Sequence, residues 1–229
     1  LRLFFFVFGF VVAASRVVVG AHFTTDIIAG ALVAIISYKA LLLICERHYP
    51  VISDKKFEIK NVSLLFKANI IFLITGIFIT VGYSFDVYFS SLFYYGNSQF
   101  LLQKYGHVSF IFRDLFLPFL IFYLFFLPIV GCFVPINKIY FGHKFNLKEA
   151  IFTSLTGLII LVLVVNVLLK NMWGRTRPKD ILQFDGNDVF GPWYKFGDSC
   201  VSNCSFVSGD ASVGFSLIIF YFITKKTIF

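Results

Sequence analysis

Residues 15–26 read SRVVVGAHFTTD, set between the apolar runs FFFVFGFVVAA at 4–14 and IIAGALVAII at 27–36. A cation, an imidazole and a carboxylate (Arg16, His22 and Asp26) thus share one junction between two greasy segments. A charge held inside a bilayer costs about 2.5–3.5 kcal/mol even on lenient scales, so such a residue points to function. His22 and Asp26 are one helical turn apart, which puts them on one face of a helix.

The rest of the chain agrees with a membrane setting. Of 229 residues, 59% are hydrophobic and 14% charged. A soluble domain is about 45–50% apolar and about 25% charged. The composition predicts an all-α polytopic membrane protein, with residues 1–229 forming a single domain. A transmembrane helix needs roughly 20 mostly apolar residues. Six spans are expected, at about 3–20, 26–45, 68–84, 112–135, 151–169 and 211–224.

The net charge of +8 does not point to nucleic acid, because Lys and Arg are spread over short loops between apolar runs. Their bias orients the bundle. Twelve of the 20 fall on the side that includes residues 39–67, which predicts that side, and both chain ends, to be cytoplasmic. The outer face then carries the 16–26 turn, the aromatic-rich 85–111 loop with an interfacial helix, and the 170–210 loop. No cleavable signal peptide is expected. Abundant Phe, Ile, Lys and Asn suit an A/T-rich bacterial genome, and so an inner membrane with the outer face toward the periplasm.

Three outer segments concentrate polar residues. KNMWGRTRP holds Lys170, Arg177 and Pro178; SFVSGDAS holds Ser208, Gly209 and Asp210; the third is the opening stretch. A phosphoryl group in its transition state spreads charge over three oxygens, and catalysis there is mostly positioning and electrostatics. Lys as a point charge and Arg as a planar fork suit that task. Ser208 and Gly209 precede a helix whose free N–H groups favour an anion. His22 can act as a nucleophile if Asp26 holds its far ring nitrogen.

These segments resemble the signature of the type 2 phosphatidic acid phosphatase (PAP2) superfamily, membrane lipid phosphatases related to vanadium haloperoxidases. The first family motif is Lys, six residues, Arg-Pro, matched by Lys170 and Arg177-Pro178 over 170–178. The third is Ser-Arg, five residues, His, three residues, Asp, matched over 15–26. The second, Pro-Ser-Gly-His, appears at 207–210 as Val207-Ser208-Gly209-Asp210. The resemblance implies that His22 attacks phosphorus to form a phosphohistidine and that Asp26 orients it. Arg16, Lys170, Arg177, Ser208 and the Gly209 N–H would hold the phosphate oxygens. Asp210 stands where the family's proton-donating His is expected. A free aspartic acid is ionised at neutral pH, although buried carboxylic acids act as general acids elsewhere. The expected substrate is a lipid phosphate monoester or diphosphate, with a lipid A-type headgroup preferred. The alternatives are a phosphotransferase, and a non-catalytic lipid-phosphate binder or transporter. No cofactor and no metal are expected, and the sequence is silent on oligomeric state.

Blander readings remain for single residues. Lys170 and Arg177 could be interfacial anchors, and Asp210 a helix N-terminal charge. Arg175 reads as a loop or headgroup contact. His48, His107 and His143 have no partner pattern. Asp185 and Asp188 lie in DGND, which reads as a solvated turn rather than a calcium loop. Trp173, Trp193 and Tyr194 are expected at headgroup level. Cys45 and Cys132 read as free thiols. Cys200 and Cys204 could pair in an oxidising compartment or stay free.

The motif order is unusual, because the family's third motif comes first. Reading from Phe229 into Leu1 restores the order, which suggests a circular permutation or a chain assembled out of gene order; the absence of an initiator Met fits either. Phe229 and Leu1 are then expected within about 15–20 Å of each other on the cytoplasmic side, since packed helices sit about 8–10 Å apart.

Overall fold

The computed structural model describes residues 2–48, 83–104, 115, 117–133, 147–197 and 200–217. Nearly all of the expected 68–84 span lies outside these residues, as do the ends of two others, His107, His143 and both chain termini.

Helices α1 (Arg2–Val18) and α2 (Thr24–His48) flank the opening junction. The turn between them tightens on Arg16, whose carbonyl accepts from the Ala21 and His22 amides at 3.0 and 3.2 Å. Asp26 starts α2: its carboxylate reaches back to the Phe23 amide at 2.8 Å. That is the return bond of a capping box, made by the third helical residue to the amide before the helix.

Helix α3 (Tyr83–Ser91) is followed by the antiparallel strands β1 (Tyr94–Gly96) and β2 (Gln99–Phe100) and the short α4 (Leu101–Lys104). This hairpin departs from the all-α expectation, though the chain is mostly helical. Asn97 and Ser98 make the turn with φ of 53° and 57°. Short polar residues tolerate that left-handed geometry, which matches strand twist in tight hairpins.

Helices α5 (Leu117–Phe125) and α6 (Leu127–Phe133) replace one expected span. The interruption has a local cause: Pro128 lacks the amide that would bond the Leu124 carbonyl. Helix α7 (Leu147–Leu158) continues through a π-helical stretch, Ile159–Leu169, into α8 (Lys170–Trp173). Gly174 ends it at φ 61°, and a Cβ there would sit 1.7 Å from the Gly197 carbonyl oxygen. Only glycine fits both conditions. Two 3₁₀ turns, Pro178–Asp180 and Leu182–Phe184, lead toward α9 (Gly209–Ser216).

The α9 helix lies at the centre. Val213 and Leu217 join Val12 of α1, Ala34 of α2, Leu120 and Leu124 of α5, and Ile160 and Val165 of the π stretch in one buried core. Helices α1 and α9 meet backbone to backbone: a Cβ on Gly9 would lie 2.6 Å from the Gly214 oxygen, and one on Gly214 2.9 Å from the Gly9 oxygen. Small residues permit such close helix contacts in bilayers. A second core of Phe23, Phe100, Ile181, Phe184 and Phe190 caps the outer end.

Two helical stretches, Thr24–Leu41 and Leu147–Asp180, are long and apolar enough to cross a membrane. Their outward faces carry Ile36, Ile151, Leu155, Val162 and Leu163, and α5 and α6 add Phe119, Phe122 and Ile129, all exposed. So large an apolar exposure suits lipid rather than water.

Candidate active site

Helix α1 delivers Arg16 in its last turn, the turn after it carries His22, and α2 begins with Asp26. All three are buried, with Asp26 fully so. Nδ1 of His22 stands 2.8 Å from the Ser205 carbonyl oxygen and 3.8 Å from Asp26 Oδ2. A carbonyl can only accept, so Nδ1 carries the proton and the Nε2 lone pair is left for chemistry. The hydrogen bond that orients His22 thus goes to a backbone carbonyl, and Asp26 acts on the ring electrostatically. Burial lowers the His22 pKa; Asp26 and Asp210 oppose that shift, and Arg16 adds to it.

Asp26 is itself held from several sides. Its carboxylate accepts from the Phe23 amide and from Ser205 Oγ, and Arg175 Nη1 meets Oδ1 at 2.5 Å. Arg175 is a correction to the sequence reading. It is no surface loop or headgroup contact: it is 1% exposed, and it ties the outer loop to a buried pair of carboxylates. Nη2 reaches Asp86 Oδ2 at 2.7 Å, Nη1 also reaches Thr25 Oγ1 at 2.7 Å, and Nε donates to the Gly191 carbonyl at 2.9 Å. Its guanidinium sits 4.3 Å from the Phe23 ring centroid and 5.6 Å from that of Phe190. A buried Arg survives such an environment only when its donors are met and its charge is paired.

Asp86 was missed altogether. It closes the cluster from α3, accepting from the Thr25 amide at 3.1 Å and from Thr25 Oγ1 at 2.5 Å. A lone carboxylate in the aromatic segment YSFDVYFSS was its one sequence signal.

The cationic residues gather above α9. Lys170 Nζ lies 3.5 Å from where a Gly209 Cβ would be, against the N-terminus of that helix. Asp210, Arg177 and Arg16 are within electrostatic range of it. Lys170 Nζ contacts Asn203 Oδ1 at 3.5 Å, while Arg177 Nε and Nη2 donate to the Asn203 carbonyl at 3.3 and 2.7 Å. Asn203 was not singled out in the sequence; its φ of 51° suits a residue that tolerates the left-handed region. Ser208 caps α9: its Oγ accepts from the Ala211 amide at 3.3 Å, and its own amide donates to the Asp26 carbonyl at 3.1 Å. Such a cap is worth about 1 kcal/mol.

Asp210 does not stand free. Its Oδ2 lies 2.5 Å from Arg16 Nε. This is an ion pair rather than an aligned hydrogen bond, since Arg16 Nε has no acceptor in line with its N–H among the described residues.

The loop that supplies Asn203 and Ser205 is closed by a disulfide between Cys200 and Cys204, with Cα atoms 5.7 Å apart. Trp173 is not a simple headgroup anchor: Nε1 donates to the Trp193 carbonyl at 2.6 Å and the ring packs on Phe206 and Phe196. The DGND turn is tied to the hairpin, with Tyr94 Oη bonded to the Asp185 carboxylate and Ser98 Oγ to its carbonyl. Among the described residues no cluster of His, Cys, Asp and Glu could hold a metal.

Comparison with known proteins follows the same lines. Residues 1–49, which contain Arg16, His22 and Asp26, match the family model described as the PAP2 superfamily. Over 150 residues the chain is 36% identical to a lipid A 4'-phosphatase of Francisella tularensis subsp. novicida, covering 63% of this chain and 64% of that one. Lipid A 4'-phosphatases of Rhizobium leguminosarum and Rhizobium etli are each 37% identical, over 62% of this chain and 66% and 60% of theirs. The chain therefore spans under two thirds of the length of these curated relatives. No solved structure matches it. Over residues 1–49, which hold the His22 motif, this chain is thus similar to the PAP2 superfamily, and over under two thirds of its length it is similar to three curated relatives of one kind.

Proposed function

We propose that this chain is a membrane lipid phosphatase that removes a phosphate monoester from a lipid headgroup of the lipid A type, through a phosphohistidine. The observation that carries the reading is the His22 tautomer next to a converging set of positive groups. Lys170 lies against a helix N-terminus, where an ammonium is electrostatically unwelcome unless an anion shares the site. Arg16 and Arg177 border the same place, and the names of the relatives support a phosphate on lipid A as that anion.

In the first step the His22 Nε2 lone pair attacks phosphorus and the ester P–O bond breaks. The leaving oxygen takes a proton from protonated Asp210, the residue at the position of the motif's proton donor. In the second step the ionised Asp210 takes a proton from water as that water attacks the phosphohistidine, the P–N bond breaks, and phosphate leaves with neutral His22 and protonated Asp210 restored. Arg16, Lys170, Arg177, the Ser208 hydroxyl and the Gly209 N–H carry the oxygen charge throughout. Six spans with this site on the periplasmic face of the inner membrane, and both termini cytoplasmic, form the topology that goes with the reading.

Purified protein in detergent, assayed for phosphate release on a panel of lipid phosphates beside His22→Ala, tests it. Release from lipid A that vanishes in the variant is expected. Release that persists in His22→Ala overturns the mechanism, and no release from any lipid overturns the function.

A further inference from the structure

Beside the catalytic cluster, and sharing Arg177 with it, lies a recess of about 330 Å³. Thr176, Lys179, Asp180, Asp188, Ser202 and Asn203 form most of its wall, and His22 and Asp26 are not part of it. We propose that this recess holds the neutral sugar ring that carries the scissile phosphate; the proposal rests on the phosphatase reading above.

The wall is preformed. Asp180 and Asp188 are joined backbone to backbone, the Asp188 amide donating to the Asp180 carbonyl at 2.8 Å and the Leu182 amide to the Asp188 carbonyl at 2.8 Å. The Lys179 amide is tied to the Gly20 carbonyl at 3.1 Å, beside the His22 turn. Ile181 and Phe184 anchor the segment in the outer aromatic core. A recess on so fixed a frame can select a shape.

Its charges then choose the ligand. Among the described residues neither Asp180 nor Asp188 has a cation within ion-pair range. Each carboxylate can accept several hydrogen bonds and donate none. With Arg177 and Lys179 set against the two carboxylates, the lining carries no net charge, so a second phosphate or an acidic headgroup gains no net attraction there. Hydroxyl and amide N–H groups of a sugar would instead donate to both carboxylates and accept from Lys179. The volume falls in the range of small-molecule sites, about 300–1,000 Å³, more than a glycerol unit fills. Arg177 ties the two sites together: it holds the phosphate on one side and edges the recess on the other, so the ring bound there is the one bearing that phosphate.

Two measurements test this on the full chain. The first is turnover of lipid A and of phosphatidate by the native protein and by Asp180→Ala, Asp188→Ala and the double variant. The ratio of kcat/KM for lipid A over phosphatidate is expected to fall about tenfold in the double variant; an unchanged ratio overturns the subsite. The second needs no turnover: binding of soluble di-N-acetylchitobiose to His22→Ala protein by saturation-transfer NMR, with glycerol as control. Binding that disappears when Asp180→Ala and Asp188→Ala are added supports the subsite. No binding to His22→Ala, or binding that survives both substitutions, overturns it. A chain that binds the sugar but turns over no lipid phosphate retains the recess and loses the phosphatase reading, so the two failures are separable.

Discussion

Nδ1 of His22 is 2.8 Å from the carbonyl oxygen of Ser205, a residue 183 positions away in the chain. That one bond decides which ring nitrogen carries the proton. It also makes the proposed nucleophile dependent on the 200–208 loop, which enters the candidate site from the opposite end of the sequence.

The pH dependence follows. The imidazole attacks only when neutral, and burial holds its pKa below the ordinary value, which is about 6.5. The nucleophile therefore stays neutral as pH falls through that value and is lost only at lower pH. The acid limb of the kcat/KM profile is expected below pH 6.5, and an acid limb above it would contradict the burial argument. Vanadate, which adopts the five-coordinate geometry of phosphorus, is expected to inhibit competitively.

Arg175 is expected to be needed for folding before it is needed for turnover. Arg175→Met leaves Asp26 and Asp86 buried with no counter-charge. Breaking a buried pair this way costs about 3–5 kcal/mol. Thermal unfolding in detergent should show a large loss of stability, with Asp86→Asn partly restoring the Arg175→Met protein because one uncompensated charge is removed.

Asp210 and Arg16 form a pair at 2.5 Å that a bound phosphate would have to share. If Asp210 supplies the leaving-group proton, Asp210→Asn slows turnover by about 10²–10⁴-fold while freeing Arg16 to bind anions more tightly. A lower kcat with a lower vanadate inhibition constant is the expected outcome. Unchanged turnover would remove Asp210 from the mechanism.

The disulfide closes the loop that presents Asn203 to Arg177 and Ser205 to His22. Treatment with a reductant, or the Cys200→Ser/Cys204→Ser pair, is expected to lower phosphatase activity several-fold with helix content by circular dichroism unchanged. Full activity after verified reduction would mean that the loop holds its shape without the bond.

Much of the site was legible because its motifs are local. Arg16, His22 and Asp26 lie within one turn and two helix ends, and Lys170 and Arg177 flank one helix terminus, so spacing alone relates them. Ser208 was placed before α9 as a phosphate contact, and that its Oγ caps the helix was not read. Arg175, Asp86, Ser205 and Asn203 were not legible in these roles. Arg175 and Asp86 are 89 residues apart, and they meet only because α3 and the 175–191 segment pack over the start of α2. Periodicity reports which face of a helix is apolar, not which loop will lie across it. In the fold, the single span expected at 112–135 passed over the break at Pro128, and nothing in IILVLVVNVLL distinguishes a π-helical stretch from an α-helical one. The hairpin was hidden within an aromatic-rich loop in which only an interfacial helix was expected.

The contact between Gly9 and Gly214 reaches beyond packing. It lies seven residues from Arg16 along α1 and four from Asp210 along α9, about 10 Å and about 6 Å at 1.5 Å per residue. The two helices therefore pivot on a point well below the residues they present. A wedge driven in there, such as Gly9→Val, would swing the arms apart and spread the charged tips. Turnover is expected to fall although no polar atom near the phosphate has changed. At this depth the close approach of two backbones sets the spacing of the helix ends that present Arg16 and Asp210.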